Sequence, residues 1–177
     1  MKQPSSACRT LAHYLIANTA WDNSMSSTTE AIVDISHKED VFREATATGF
    51  LRLSEESIRV VLDGRSVKGD VREASNVAAI LAVKETPRTI PHCHPIPIEG
   101  CSLKWDIEEF GIRCTVTVMT HWSTGVEMEA LCGVSAALLC AFDMLKSLEK
   151  DDQGQYHDTC IEEIRVLNKK KGNRTVE

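Results

Sequence analysis

Two histidines and a cysteine stand side by side in a loop that is rich in proline. His92, Cys93 and His94 lie within the segment 86–97, which holds four prolines in twelve residues. Proline fixes the backbone dihedral φ and removes a hydrogen-bond donor, so such a loop holds its side chains in place. Because histidine has an ordinary pKa of about 6.5, it can exchange protons near neutral pH. The tripeptide therefore predicts an acid, a base or a phosphate ligand.

The pair of histidines also allows two other interpretations. Two imidazoles spaced as His-x-His are able to bind zinc, but the sequence shows no clear third and fourth ligand for it. The C-x-x-C spacing of common zinc and redox sites is absent from the chain. Surface histidines without a role are the remaining alternative.

Charged residues lie at the two ends of a long helical pattern. Glu127 and Glu129 fall near its start, whereas Asp143 and Lys146, three residues apart, share a face near its end. Sixteen residues separate Glu127 from Asp143, which is about 24 Å at a rise of about 1.5 Å per residue. One rigid helix cannot bring both ends to one small substrate. Either one group is structural, or a site combines opposite helix ends from two subunits.

A further lysine is predicted at the start of another helix. Lys68 precedes Gly69 and Asp70, and an apolar helical pattern follows them. A lysine there is commonly an exposed loop residue, because the helix dipole disfavours a cation at that end. The alternative is a lysine held beside the phosphate oxygens of a ligand that the helix start binds.

Composition limits the classes of protein to consider. The 177 residues suffice for one domain with a core, and the formal net charge of −6 argues against non-specific nucleic-acid binding. We find no apolar run long enough to span a membrane. Seven cysteines, an odd number without a visible secretory signal, predict reduced thiols in a cytoplasmic protein.

The elements that must position these residues follow from hydrophobic periodicity. Strands are predicted at 31–36, 43–53, 101–108, 112–118 and 163–168, with the third and fourth forming an antiparallel hairpin. Helices are predicted from Ser54 to Gly64, from Lys68 to a stop at Pro87, and over residues 123–150, where Ser123 or Thr124 would cap the start. This order predicts an α+β fold, with an antiparallel sheet and helices packed on one face. Residues 1–29 are interpreted as a flexible N-terminal extension and residues 30–177 as a single domain.

Six short motifs occur together in this chain. They are VDIS at 33–36, FREA at 42–45, KGDV at 68–71, IPHCHP at 90–95, TGVEMEAL at 124–131 and FDMLK at 142–146. In this combination and order, the chain resembles the cyclic pyranopterin monophosphate synthase family over about residues 32–170.

The resemblance implies a fold, an assembly and a reaction. It implies a ferredoxin-like α+β fold and a homohexamer, a trimer of dimers with active sites at subunit interfaces. It also implies a lyase of molybdenum cofactor (molybdopterin) biosynthesis. Such an enzyme converts 3′,8-cyclo-7,8-dihydroguanosine 5′-triphosphate into cyclic pyranopterin monophosphate and diphosphate without a required cofactor. The sequence leaves open whether a divalent metal ion accompanies the triphosphate. Its partner is this small molecule rather than nucleic acid or a membrane.

The resemblance also assigns roles to residues. The catalytic group that it implies is Asp143, Lys68 and Lys146. The substrate-binding group that it implies is His92, Cys93, His94, Met128, Glu129, Glu127, Arg43 and Lys169. Two departures from the family pattern are visible. His92 stands where leucine is usual, and the segment 170–175 replaces a glycine-rich stretch.

These residue types suit the implied chemistry. Lysine, aspartate and histidine can move protons among ring nitrogens, and cations can stabilise charge on a departing diphosphate. We expect Lys68 and Lys146 to act as acid and base and Asp143 to orient a lysine.

Two alternatives belong to other classes of protein. One is a zinc-dependent hydrolase that uses His92 and His94, and the other is a catalytically silent pterin- or nucleotide-binding relative.

Overall fold

A computed structural model describes residues 30–64 and 66–172 of the chain. The predicted extension, residues 1–29, lies outside the described residues. From Ile32 onwards, the described residues belong to one compact unit.

The described chain contains an antiparallel sheet and four helices. The strands are β1 (Val41–Arg52), β2 (Gly100–Glu108), β3 (Gly111–Trp122) and β4 (Ile161–Gly172). The helices are α1 (Glu55–Asp63), α2 (Val71–Lys84), the single turn α3 (Thr86–Thr89) and α4 (Glu127–Leu145). The strand order is β2-β3-β1-β4, and all neighbouring strands are antiparallel. The structure confirms the predicted α+β class, with the long helices packed on one side of the sheet.

The core lies between the sheet and α4. Gly49 of β1 faces α4 so closely that a Cβ atom there would lie 2.7 Å from Leu138 Cδ1 and 2.8 Å from Val134 Cγ1. Gly133 of α4 faces α2 in the same way, since a Cβ atom would lie 2.8 Å from Val83 Cγ2. Small residues at these two positions therefore allow the helix to lie close to both the sheet and α2.

Most of the predicted elements are present, and their ends have recognisable causes. The Ser54 side chain accepts a hydrogen bond from Ser57 N at the start of α1, and Gly64 ends that helix in the left-handed region, with φ 66°. The Asp70 side chain caps α2. Pro87, predicted as a stop, lies in the first turn of α3, just beyond the end of α2.

Three predictions about elements are wrong. Residues 31–36 form no strand, because the Asp34 carboxylate accepts the Ser36 backbone N–H at 2.9 Å and closes a local turn instead. The long helix begins at Glu127 and ends at Leu145, so it is shorter than predicted. Neither Ser123 nor Thr124 caps it. Ser123 instead follows β3 directly and donates its hydroxyl to Asp40 at 2.8 Å.

The last strand extends further than predicted. β4 continues through the basic run to Gly172, because Lys169, Lys170 and Lys171 pair with β1 opposite Ala45, Glu44 and Arg43. This pairing places three lysines at the end of the sheet where α4 begins.

Among residues 30–64 and 66–172, one helix has the length and apolar composition of a membrane span. It is α4, and half of the most apolar 18-residue stretch of this helix is buried inside the fold. The same composition is typical of the core helix of a protein with no membrane segment, and α4 packs against the sheet and α2.

Candidate active site

Asp143 binds two lysines at the end of α4. Its Oδ2 lies 2.5 Å from Lys68 Nζ and its Oδ1 lies 2.6 Å from Lys146 Nζ. Lys68 also donates to the backbone carbonyl of Asp143 at 2.9 Å. Hydrogen bonds from Lys146 and Lys68 lower the pKa of Asp143 to about 2, and Asp143 in turn raises the pKa of Lys146. The aspartate is thus a carboxylate that fixes the positions of two ammonium groups.

A tight turn carries Lys68 to this position. The Ser66 hydroxyl donates to Gly69 O at 2.7 Å and accepts the Lys68 backbone N–H at 3.1 Å. Gly69 has φ 106°, a conformation that residues with a side chain rarely adopt. The glycine of the KGDV motif therefore serves the turn, and the aspartate that follows it caps α2.

The histidine-containing loop lies beside the other end of α4. A cavity of about 270 Å³ there is lined by residues of the loop and of the helix start, namely His92, Cys93, His94, Ile96, Thr124, Gly125, Glu127, Met128 and Glu129. His94 Nε2 lies 2.7 Å from Val33 O, so the segment 32–36 holds this imidazole. The segment that was predicted as a strand therefore supports the loop.

Glu129 is a buried acid in this cavity. It is only 2% exposed, and its Oε2 atom has no hydrogen-bond partner. Burial raises the pKa of Glu129 above the ordinary value, and the charge on Glu127 adds to this effect. The pKa of Cys93 is also raised, by burial and by the neighbouring Glu129 and Cys132. Ionisation is therefore less favourable for both groups than for exposed side chains of the same type.

A second, basic cavity adjoins the first at the start of α4. Its volume is about 440 Å³, and it is lined by Lys38, Arg43, Glu44, Ser123, Thr124, Gly125, Glu127, Lys169, Lys170 and Lys171. Arg43 donates to the carbonyls of Trp122 and Ser123, each at 3.3 Å. Burial opposes the ionisation of Glu127. The hydrogen bonds from Lys169, at 3.0 Å, and from the backbone N–H of Glu127 outweigh this, so the pKa of Glu127 is lowered.

The predicted site residues therefore form two groups within one chain. The first group surrounds the start of α4 and contains His92, Cys93, His94, Met128, Glu129, Glu127, Arg43 and Lys169. The second group, Lys68, Asp143 and Lys146, lies near the helix end and lines neither of these two cavities. Along α4, sixteen residues separate Glu127 of the first group from Asp143 of the second, which is about 24 Å at the helical rise.

Three lysines of the basic cavity were missed as site residues. Lys170 and Lys171 belong to a basic run that is visible in the sequence, but the predicted strand ended before it. Lys38 follows the segment that was predicted as a strand. Its proximity to the cavity depends on the turn in which Lys38 N donates to Ile35 O at 3.0 Å.

A metal site at the histidine pair would need at least one further ligand. Within residues 30–64 and 66–172, no three His, Cys, Asp or Glu side chains are grouped so that they could hold a metal ion. The described part of one chain thus supplies no third ligand to a His-x-His centre.

Comparison with known proteins identifies relatives over most of the chain. The sequence profile of the MoaC family matches residues 32–172. A probable cyclic pyranopterin monophosphate synthase of Archaeoglobus fulgidus is 52% identical over 143 residues, which cover 81% of this chain and 92% of the relative. Proteins with the same name from Aeropyrum pernix and Sulfurisphaera tokodaii are 52% and 51% identical, over 80% and 81% of this chain and 97% and 95% of the relatives. The chain therefore belongs to the MoaC family.

Proposed function

We propose that this protein is a cyclic pyranopterin monophosphate synthase of molybdenum cofactor biosynthesis. Its substrate is 3′,8-cyclo-7,8-dihydroguanosine 5′-triphosphate, and its products are cyclic pyranopterin monophosphate and diphosphate. Family membership and the names of relatives about 50% identical support this proposal. The observation that carries it furthest in this chain is the Lys68–Asp143–Lys146 cluster, because it supplies the proton-transfer groups that the rearrangement needs.

The reaction has two chemical requirements. The purine-derived ring system opens and closes again as a pterin, so protons must move among nitrogens and hydroxyls. A hydroxyl oxygen then bonds to the phosphorus nearest the sugar and gives up its proton, while the bond from that phosphorus to the terminal diphosphate breaks. Lys68 and Lys146 act as the acid and base, and Asp143 holds both in position. Cations around the departing diphosphate stabilise its charge.

One active site combines residues of two subunits. The acid–base group at the end of α4 and the binding group at its start are too far apart to share one small substrate. A second copy, turned so that the end of its α4 approaches the helix start of the first, would complete both sites of a symmetric pair. We assign the protein to homohexamers, as trimers of such dimers, in the cytoplasm and without a required cofactor.

A turnover assay tests the proposed function. The purified protein is mixed with the cyclic dihydroguanosine triphosphate, freshly made, and both diphosphate and the oxidised fluorescent pterin are measured. We expect diphosphate and the fluorescent pterin to form in equal amounts. Lys68→Ala should abolish both while the fold stays intact. Lys104→Ala, which removes an exposed lysine paired with Asp106, serves as the control. Diphosphate without pterin would identify a hydrolase, and pterin binding without turnover would identify a silent relative.

A further inference from the structure

An aromatic residue outside the predicted site lies beside the acid–base group at the end of α4. The ring of Tyr156 packs against the ring of Phe142, with 5.3 Å between the ring centroids and 58° between the ring planes. This tilted geometry is typical of a favourable aromatic pair. Phe142 directly precedes Asp143 in α4, and its carbonyl accepts the Lys146 backbone N–H at 2.8 Å. Tyr156 therefore lies next to the helical turn that carries both Asp143 and Lys146.

The side chains of Tyr156 and Lys146 approach each other over this turn. A helical side chain leans towards the preceding turn of its helix, which brings Lys146 over Phe142. The hydrogen bond and the charge of Asp143 raise the pKa of Lys146, desolvation opposes them, and the negative charge of an ionised Tyr156 adds to the increase. The phenol oxygen therefore lies within range of the Lys146 ammonium group.

A compact turn fixes Tyr156 in this place. The Asp151 Oδ1 atom accepts the backbone N–H groups of Gln153 and Gln155, each at 2.8 Å. The backbone N–H of Asp151 donates to Gln155 O at 3.0 Å, and its Oδ2 atom lies 2.9 Å from His157 Nε2. Asp151 therefore anchors the residues on both sides of Tyr156, and it does so through bonds within the segment 151–157.

We infer that Tyr156 is a positioning residue for the acid–base group, a role that the family resemblance did not assign. The inference rests on the proposed function and names a further residue for the same reaction. The ring of Tyr156 limits the movement of the Lys146 side chain and keeps water from one side of it, so the ammonium group stays on Asp143. Proton transfer requires such a fixed geometry, since a displacement of about 1 Å can cost about 10²-fold in rate. The role belongs to the ring rather than to the phenol hydroxyl.

Acetylation of lysines tests the contact without the reaction. The protein is treated with limiting acetic anhydride, and the acetylated fraction of each lysine is measured by peptide mass spectrometry. We expect Tyr156→Ala to raise the acetylation rate of Lys146 several-fold, because the amine is then less confined and less shielded. The rate at Lys104, an exposed lysine of β2, should stay unchanged, and Tyr156→Phe should match the wild type. An equal rate at Lys146 in Tyr156→Ala and the wild type would overturn the inference.

Steady-state kinetics measures the consequence for the proposed reaction. Tyr156→Ala should lower kcat by roughly 10–10²-fold with little change in KM, because a proton-transfer group is displaced and no substrate ligand is lost. Tyr156→Phe keeps the ring and should restore most of kcat. The matched control is Phe110→Ala, which removes an exposed ring from the turn between β2 and β3. An equal loss of kcat in Tyr156→Phe and Tyr156→Ala would overturn the positioning role, because it would mean that the hydroxyl itself takes part.

Asp151→Ala tests whether the turn acts through Tyr156. The variant removes the hydrogen bonds that anchor the segment 151–157, so we expect kcat to fall in the wild-type background and to fall no further in the Tyr156→Ala background. Additive losses would contradict this order of dependence. Circular dichroism melts identify any variant that fails to fold, and Tyr156→Leu replaces Tyr156→Ala in both measurements if the alanine variant is one of them.

The two proposals fail in different ways. Acetylation of Lys146 that depends on the Tyr156 ring, together with no turnover by the wild type, would contradict the synthase and leave the contact intact. Turnover by the wild type with an unchanged kcat in Tyr156→Ala would contradict the positioning role and leave the synthase intact.

Discussion

Asp143 is the residue on which the proposed acid–base chemistry depends. Each of its carboxylate oxygens accepts a hydrogen bond from a different lysine, one of them 75 residues away in the chain. The two bonds fix the distance between Lys68 Nζ and Lys146 Nζ across a single carboxylate. Two lysines positioned in this way allow one ammonium to give a proton on one side of a substrate. The other lysine accepts a proton on the other side after it has given up its own.

Asp143→Asn tests this arrangement. The amide keeps the shape of the side chain but loses its charge, so we expect kcat to fall by roughly 10²–10⁴-fold, the range for a general acid–base group.

The pKa of Asp143 is lowered to about 2 in the folded protein, below its ordinary value. Its ion pairs therefore stabilise the fold above about pH 4 and are lost as the pH falls towards 2. In urea unfolding, the free energies of unfolding of the wild type and of Asp143→Asn should differ at neutral pH and converge at low pH. A difference that stays constant with pH would contradict the stabilising role of these ion pairs.

Glu129 should respond to pH in the opposite sense. Its pKa is raised by burial, so above the ordinary pKa of about 4.3 the folded chain retains a proton that the unfolded chain has released. Stability then falls as the pH rises through this window. Because glutamine does not ionise, we expect Glu129→Gln to remove this fall of stability with rising pH. Denaturant unfolding of both proteins between pH 4 and 8 measures it, and parallel curves would show that Glu129 ionises as an exposed glutamate does.

At the scale of the element, α4 determines what a single chain can do. Its side towards the sheet and α2 is made of small and branched apolar residues, and its two ends hold the two groups of site residues. Val134, Leu138, Ala141 and Leu145 recur at three- and four-residue intervals and are fully buried, whereas Phe142 is partly buried. The rigidity of this helix keeps the two groups apart, so its packing bears on function as well as on stability.

Gly49→Ala tests the close contact between β1 and α4. A methyl group there would approach Leu138 Cδ1 and Val134 Cγ1 within 2.8 Å, and Ile164 Cγ1 within 3.1 Å. Overpacking of a core commonly costs about 1–3 kcal/mol, and we expect a loss of that size in the free energy of unfolding. Gly125→Ala is the matched control, because the three atoms nearest to its methyl group all belong to the carboxylate end of the Glu127 side chain and none to the core. Equal melting temperatures for Gly49→Ala and the wild type would contradict the packing described here.

Much of the element order could be predicted from the sequence, because it depends on periodicity and on local caps. The β2–β3 hairpin alternates cleanly, and Ser54, Gly64 and Asp70 act within their own turns. The turn at 32–36 was missed because its apolar residues resemble a strand, whereas the Asp34 carboxylate determines the backbone locally. The basic cavity could not be predicted, because it needs β4 to continue through a lysine run that only pairing with β1 stabilises.

At the scale of the whole molecule, one chain leaves apolar residues of its helices exposed. In α2 the buried residues are Val71, Ser75, Ala79 and Val83, whereas the apolar pattern in the sequence included Val77 and Leu81. Val77 and Leu81 are each 58% exposed, and Leu139 of α4 is 61% exposed. Large exposed apolar side chains on neighbouring helices are typical of an interface. This is the feature that best supports the proposed assembly.

Sedimentation of the purified protein tests the assembly. Six copies of 19.6 kDa give a mass of about 118 kDa, which we expect for the wild type. Leu81→Glu and Leu139→Glu place a charge on the exposed helix surfaces and should produce smaller species without unfolding the chain. Leu62→Glu alters a comparably exposed leucine of α1 and serves as the control. A wild-type monomer that turns over substrate would contradict both the hexamer and the shared site.

Mixing two inactive variants tests most directly whether one site uses two subunits. Lys68→Ala damages only the helix-end group, and His94→Ala damages only the group at the helix start. If each site combines the two groups from different chains, a mixed dimer contains one intact site and one doubly defective site. After dissociation and random reassociation, a pairwise interface should restore about a quarter of the wild-type activity. No recovery, with mixed assemblies demonstrated by mass, would contradict the account, because it would mean that each chain builds its site alone.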